Sequence, residues 1–218
     1  ELVKKGVKLK YRRSYLGVCW SLLEPLLTTC VLTIVFGTLF GNKSRDFPMY
    51  ILCGRLLYTF FSQATKTAAR SIRANSKMIC KVYVPKYLYP LSCILFNYII
   101  FLISLLVLGV LGIYCGVKPT WHVVQIIFPL ILLPILTYGV GMILATITVF
   151  FRDMEYLWEV ILMLIMYTCA IFYYPEKIMN SGFSWILKLN PLYCIIQNFR
   201  DAILGQQMNI HLLVYAAI

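Results

Sequence analysis

Five cations, Lys66, Arg70, Arg73, Lys77 and Lys81, are separated by 4, 3, 4 and 4 residues, the spacing that aligns side chains on one face of a helix. A basic stripe of this kind either holds a membrane loop against anionic lipid or docks on a soluble partner, and both readings fit. Glu24, Arg55 and Glu159 stand inside otherwise apolar runs, where an ionisable group is a functional candidate by default. Each lies within about two turns of the end of its run, so snorkelling or local pairing accounts for it. The aromatic residues Tyr58, Phe60, Phe61, Tyr167, Phe172, Tyr173 and Tyr174 can face lipid, anchor at its interface, or stack on the C–H faces of sugar rings. His122 and His211 stand alone and the eight cysteines are scattered singly, with no spacing that suggests a metal site. No G-x-x-x-x-G-K-[ST] is present, so the chain does not bind ATP through a P-loop. No paired carboxylates or Ser/His/Asp arrangement supports an enzyme, and catalytic residues are not expected. The chemistry available is that of holding and passing a ligand.

The elements that must position these residues follow from composition. Of 218 residues 61% are hydrophobic and only 13% charged, against roughly a quarter charged in soluble chains. Long apolar runs between short basic stretches make it an all-α integral membrane protein. The net charge of +12 clusters at membrane boundaries with no aromatic stacking platform between the cations, so it reads as topology and not as nucleic-acid binding. Residues 1–15 alternate Val3, Val7, Tyr11 and Tyr15 with Lys4, Lys8 and Arg12, the pattern of an amphipathic helix lying in the interface. Spans are expected at about 18–40, 49–64, 91–114, 123–151 and 156–174, with Pro129 and Pro134 kinking the fourth. Residues 65–90 form the loop that carries the basic stripe. Between 175 and 210 lie two apolar pieces split by Asn190-Pro191, each too short for a core of about 30 Å, which dip into the membrane from one side. Residues 211–218 begin a sixth span and stop, as a truncated helix does. Thirteen Lys and Arg on the side of residues 1–15 and 65–90 against six on the other put the N-terminus inside the cell.

Taken in order, Tyr11-Arg12-Arg13-Ser14-Tyr15-Leu16-Gly17, Trp20, Pro25, Phe36-Gly37, Asn75, Ile79-Cys80-Lys81, Pro85, Pro90-Leu91, Phe151-Arg152-Asp153, Tyr174-Pro175, Asn190-Pro191-Leu192 and Phe199-Arg200 resemble the membrane (permease) subunit of polysaccharide-exporting ABC transporters. That is the ABC-2 exporter type that moves O-antigen, teichoic acid or capsule chains. The resemblance covers nearly the whole chain. It implies six transmembrane helices, an N-terminal interface helix, short re-entrant gate helices on the outer side, and a homodimer in the bacterial cytoplasmic membrane. It also implies two ATP-binding ABC subunits, which hold ATP and Mg while this chain holds no cofactor, and an undecaprenyl-linked polysaccharide as substrate. By the same resemblance Arg12, Arg13, Leu16 and Gly17 mark substrate entry, with the arginines on the lipid pyrophosphate. Arg73, Asn75, Lys77 and Lys81 couple to the ATPase, and Trp20, Tyr58, Phe61, Tyr167, Phe172, Tyr173 and Tyr174 line the channel. Arg55 replaces the family's usual apolar residue and points to this substrate's chemistry, an anionic polymer. An ABC-2 exporter of a small hydrophobic compound shares the architecture. A membrane-embedded glycosyltransferase would need groups converging on a donor site, and the outer loop offers only Glu176, Lys177, Lys188, Arg200 and Asp201.

Overall fold

The computed structural model describes residues 19–39, 46–81, 83–116, 121–174, 187 and 190–205. Among them every regular element is helical: α1 (Trp20–Leu39), α2 (Phe47–Ala74), α3 (Ser76–Ile79), α4 (Leu88–Cys115), a 3-10 stretch Trp121–Ile126 leading into α5 (Ile127–Phe150), α6 (Met154–Thr168) and α7 (Pro191–Ile203). Three helical stretches, Trp20–Thr38, Leu88–Tyr114 and Val124–Phe150, are long and apolar enough to cross a membrane. The interface helix expected at 1–15, the short piece around 183–189 except Leu187, and the segment 211–218 lie outside the described residues.

Helix α2 is the hub. Ile51, Leu52, Leu57, Ala64 and Ala68 along it are wholly buried, and α1, α4, α5, α6 and α7 all pack on it. It starts on Phe47-Pro48, with the proline in the first turn where a missing N–H costs nothing. The helix that holds the expected span 49–64 runs on to Ala74, so the first part of the expected loop is a helical extension bearing Lys66, Arg70 and Arg73. The Asn75 amide donates to Ser71 O (2.8 Å) and closes it, and α3 follows at once. Pattern reading stops at Ala64 because the charges begin there, whereas the apolar face continues through Ala68 and Ala69. Close approach to neighbours needs a small residue on α5, where a Cβ on Gly141 would lie 3.1 Å from both Ala68 Cβ and Ile94 Cδ1.

Two prolines sit inside helices, and each frees the carbonyl four residues back. Pro25 in α1 leaves Ser21 O, which accepts from Ser104 Oγ at 3.0 Å. Pro134 in α5 leaves Leu130 O, which accepts from the Tyr98 hydroxyl at 3.1 Å. Both donors come from α4. In an apolar surround a freed backbone group needs such a partner, and α4 supplies one on each side of it. It ends at Gly116, whose φ of +77° turns the chain into the left-handed conformation that closes helices.

The fifth expected span, 156–174, is also corrected. Helix α6 ends at Thr168, about 22 Å long at 1.5 Å per residue. Ala170 at φ +48° breaks it, and Ile171 to Tyr174 continue without helical bonding. Helix α7 then starts on Asn190, whose Oδ1 accepts from the N–H groups of Leu192 (3.1 Å) and Tyr193 (3.4 Å) ahead of Pro191. The Asn190 amide donates to Thr168 Oγ1 (3.1 Å), so the cap also ties α7 to the end of α6. Every residue of α7 except Pro191 and Gln197 is buried.

Candidate functional site

Three groups of polar side chains lie along α2. At its first turns the break after α6 turns backbone carbonyls inward. Arg200 of α7, fully buried, reaches them: Nη1 donates to Ala170 O (3.1 Å), Nη2 to Ile171 O (3.4 Å) and Nε to Tyr50 O (3.2 Å). Its guanidinium carbon lies 3.6 Å from the centre of the Tyr50 ring, a cation–π contact. The Tyr50 hydroxyl is shared between Ala170 O (3.2 Å) and Tyr173 O (3.1 Å). Arginine keeps its charge at any pH a protein survives. Among the described residues no carboxylate lies in ion-pair range of Arg200, so carbonyl dipoles and a ring face carry the charge. Gly54 makes room: a Cβ there would fall 2.3 Å from Arg200 Nη2. Beside it, burial raises the Asp201 carboxyl to about 6, opposed by the Gln197 amide (2.9 Å) and by Arg200.

At the far end of α2 the basic stripe meets α6. Glu155, nearly covered, accepts from Arg70 Nε at 2.7 Å and from Arg73 Nη2. Glu159 takes Lys66 Nζ at 3.3 Å and Arg70 Nη2 at 3.9 Å. Glu159 is therefore locally paired, as its position suggests. The stripe divides: Lys66, Arg70 and Arg73 are engaged with α6, while Lys77 and Lys81 are exposed at and beyond α3. Between these ends Trp158 Nε1 donates to Thr65 Oγ1 (3.0 Å) and the Tyr58 hydroxyl to Leu162 O (2.8 Å). Helices α2 and α6 are thus joined by polar contacts from end to end.

The third group lines a cavity of about 340 Å³ between α1, α2 and α4. Arg55, Thr59 and Gln63 enter from one face of α2, Trp20, Glu24 and Thr28 from α1, and Asn97 and Ser104 from α4, with Phe60 and Phe101 as apolar wall. Asn97 is held by its Nδ2 donating to Thr67 Oγ1 (3.0 Å) and Cys93 O (2.8 Å). Among the described residues neither Arg55 nor Glu24 has an ion pair.

The expected channel aromatics divide by burial. Trp20 and Tyr167 are exposed, by 46% and 55%. Tyr173 and Tyr174 are half-buried, Tyr174 with its ring 4.7 Å from that of Tyr50. Tyr58, Phe61 and Phe172 pack inside a single copy, Phe61 against Trp158 and Phe172 stacked on Phe36 at 4.8 Å. A buried ring wedged between helices of its own chain presents no face to a passing ligand, so these three have packing as their visible work. Arg12, Arg13, Leu16 and Gly17 lie outside the described residues. Among the described residues no three metal-binding side chains come together.

Pattern reading misses the Arg200 site, counting Arg200 among cations of an outer loop. The available signal is the helical face of 191–203, on which Arg200 shares a side with Ile196 and Ile203. Glu155 escapes notice because it stands in the first turn of α6, next to the Arg152-Asp153 turn, where a carboxylate reads as an ordinary cap.

The family profile described as ABC-2 type transporter matches residues 1–204. The chain is 32% identical over 202 residues to the O-antigen export system permease protein RfbA of Myxococcus xanthus, covering 91% of this chain and 77% of that protein. It is 29% identical over 210 residues to RfbA of Klebsiella pneumoniae, covering 95% and 80%. It is 22% identical over 213 residues to the polysialic acid transport protein KpsM of Escherichia coli, covering 93% and 80%.

Proposed function

From the premise that this chain belongs to the ABC-2 type transporter family, we propose that it is the permease subunit of an ATP-driven exporter of polysaccharide across the bacterial cytoplasmic membrane. The observation that carries the reading is similarity over more than nine-tenths of the chain to permeases named for O-antigen export and polysialic acid transport. The substrate is a lipid-linked glycan of the undecaprenyl type, and the N-terminus faces the cytoplasm. Two copies enclose the path, and each meets a separate ATP-binding subunit through α3 and the exposed Lys77 and Lys81. Each copy contributes six spans, with α7 and the segment before it closing the outer end.

The polar joints give this proposal a transmission. A push on α3 enters α2 directly through Asn75. Because Arg70 and Arg73 hold Glu155, and Arg200 holds both Tyr50 O and the carbonyls after α6, the two helices move as one strut. Displacing that strut shifts α6, whose exposed face carries Tyr156, Val160, Met163 and Tyr167. Of the expected channel aromatics, Tyr167 and Trp20 are the exposed ones available to a sliding sugar chain, since stacking tolerates changes of register. Deletion of the gene should abolish surface polysaccharide, and Tyr167→Ala should slow export at unchanged protein level. Normal surface glycan in the deletion strain, or ATP hydrolysis by the complex that answers to drug-like compounds and not to lipid-linked glycan, refutes the proposal.

A further inference from the structure

The cavity between α1, α2 and α4 has chemistry that neither packing nor coupling uses. Its volume of about 340 Å³ is at the small end of the range for small-molecule sites, roughly 300–1,000 Å³. Its lining combines one cation, Arg55, with one anion, Glu24, and with the amides of Gln63 and Asn97. Arg55 and Glu24 share the cavity yet form no ion pair with each other or with any other described residue. Two opposite charges that face one space without joining leave room for a group between them that donates to one and accepts from the other.

We propose that this cavity binds one sugar ring of the exported glycan, with Glu24 accepting from ring hydroxyls, Arg55 donating to ring or glycosidic oxygens, and Trp20 stacking on a C–H face. The inference rests on the polysaccharide reading above. Several features select a saccharide. Hydroxyl groups are donors and acceptors together, and only a lining that is both can satisfy them. Gln63 offers both roles, while the Asn97 amide N–H groups are spent on Thr67 and Cys93, which fixes its Oδ1 as a pre-set acceptor. A half-exposed indole at the rim supplies the flat apolar surface that a pyranose face needs. The charges sum to zero, which removes the basis for expecting an anionic polymer from Arg55 alone. The same balance disfavours an anionic lipid headgroup, since Glu24 repels what Arg55 attracts.

The test uses the full transporter with its ATP-binding partner in nanodiscs. The probe is an oligosaccharide released by mild acid from the producing cells' own surface glycan, with binding read by saturation-transfer NMR. Glu24→Gln keeps size and removes a charge; Arg55→Gln does the same on the other wall. Losing one charge-assisted hydrogen bond to a ligand costs about 1.5–3 kcal/mol, so each variant should bind roughly tenfold or more weakly. Trp20→Phe should lose ring-proton signal with less loss of affinity. Unchanged affinity in both charge variants, each eluting as intact complex, overturns the proposal. So does displacement of the oligosaccharide by phosphatidylglycerol, which would mark a lipid site. Weak or absent binding by the wild-type complex from a strain whose surface glycan depends on this gene sinks the cavity alone. A gene whose loss leaves the glycan untouched sinks the reading beneath it.

Discussion

Gly54→Ala should be damaging in the native chain and harmless once Arg200 is gone. The added Cβ would lie 2.3 Å from Arg200 Nη2, where contact distances begin near 3.4 Å, so the guanidinium must retreat by about 1 Å. It cannot do so freely, because carbonyls at 3.1, 3.2 and 3.4 Å and the Tyr50 ring at 3.6 Å hold it on every side. A displacement of about 1 Å stretches or bends some of those bonds beyond hydrogen-bonding geometry and crowds others. A buried charge deprived of its partners costs about 3–5 kcal/mol. Alanine returns up to about 1 kcal/mol of helix propensity over glycine. The net expectation is a loss of about 2–4 kcal/mol, or a fall of roughly 5–15 °C in melting temperature for a chain of this size. In an Arg200→Ala background the obstruction is absent, and Gly54→Ala should be neutral or stabilising by up to about 1 kcal/mol. The assay is heat challenge of detergent-solubilised fluorescent fusions followed by size-exclusion detection of the surviving peak. An equal penalty for Gly54→Ala in both backgrounds would show that the glycine serves something other than Arg200, and the account of the Arg200 cluster would fall with it.

Glu155→Gln leaves two guanidiniums facing a neutral amide, and because Arg70 and Arg73 are partly exposed the loss should be only about 1–2 kcal/mol. Its larger effect should be on coupling, seen as ATP hydrolysis retained while export falls; parallel losses of both would refute the strut. Asp201 binds a proton more readily in the folded chain, at about 6, than in the unfolded chain, where an aspartate titrates near 4. Stability should therefore fall as pH rises from about 4 to 6, by an amount of order 1–3 kcal/mol, and Asp201→Asn should flatten that slope in pH-scanned melting. Ser104→Ala and Tyr98→Phe each remove a hydroxyl donor from the carbonyl behind a proline and should cost about 0.5–2 kcal/mol by the same heat challenge, whereas Ser104→Ala combined with Pro25→Ala should recover most of it.

Much of the helical layout is legible because membrane helices are written in long apolar runs: α1, α4 and α5 read as spans from hydropathy alone. The errors fall where charge interrupts the run. Hydropathy cuts α2 short at Ala64 because Lys66 looks like the membrane boundary, although Lys66 has a carboxylate waiting on α6. It draws α6 too long because Ile171 and Phe172 are apolar, and it does not register that Ala170 turns left-handed. Tyr58 and Phe61 read as channel residues because aromatic type says nothing about which face of α2 they occupy. Trp158 takes the face of Phe61, and the backbone of α6 takes the hydroxyl of Tyr58. The basic stripe is split where α2 ends at Ala74, and no local pattern could reveal that Lys66, Arg70 and Arg73 answer to Glu155 and Glu159, more than 80 residues away.

The treatment of charge across the fold explains why one pair stands out. Arg200 is wholly buried and is held by three carbonyls and a ring. Lys66, Arg70 and Arg73 reach two carboxylates across a helix interface. Even the neutral carbonyls freed by Pro25 and Pro134 have hydroxyls aimed at them. Against these engaged groups, Arg55 and Glu24 line one cavity and neither forms an ion pair with any described residue. Glu24 is exposed and Arg55 half-buried, so holding them apart forgoes only the modest attraction of a solvated pair. Such an omission persists when the two groups have a third party to engage. A hydroxyl-rich polymer, donor and acceptor together, has the chemistry to engage both while moving on.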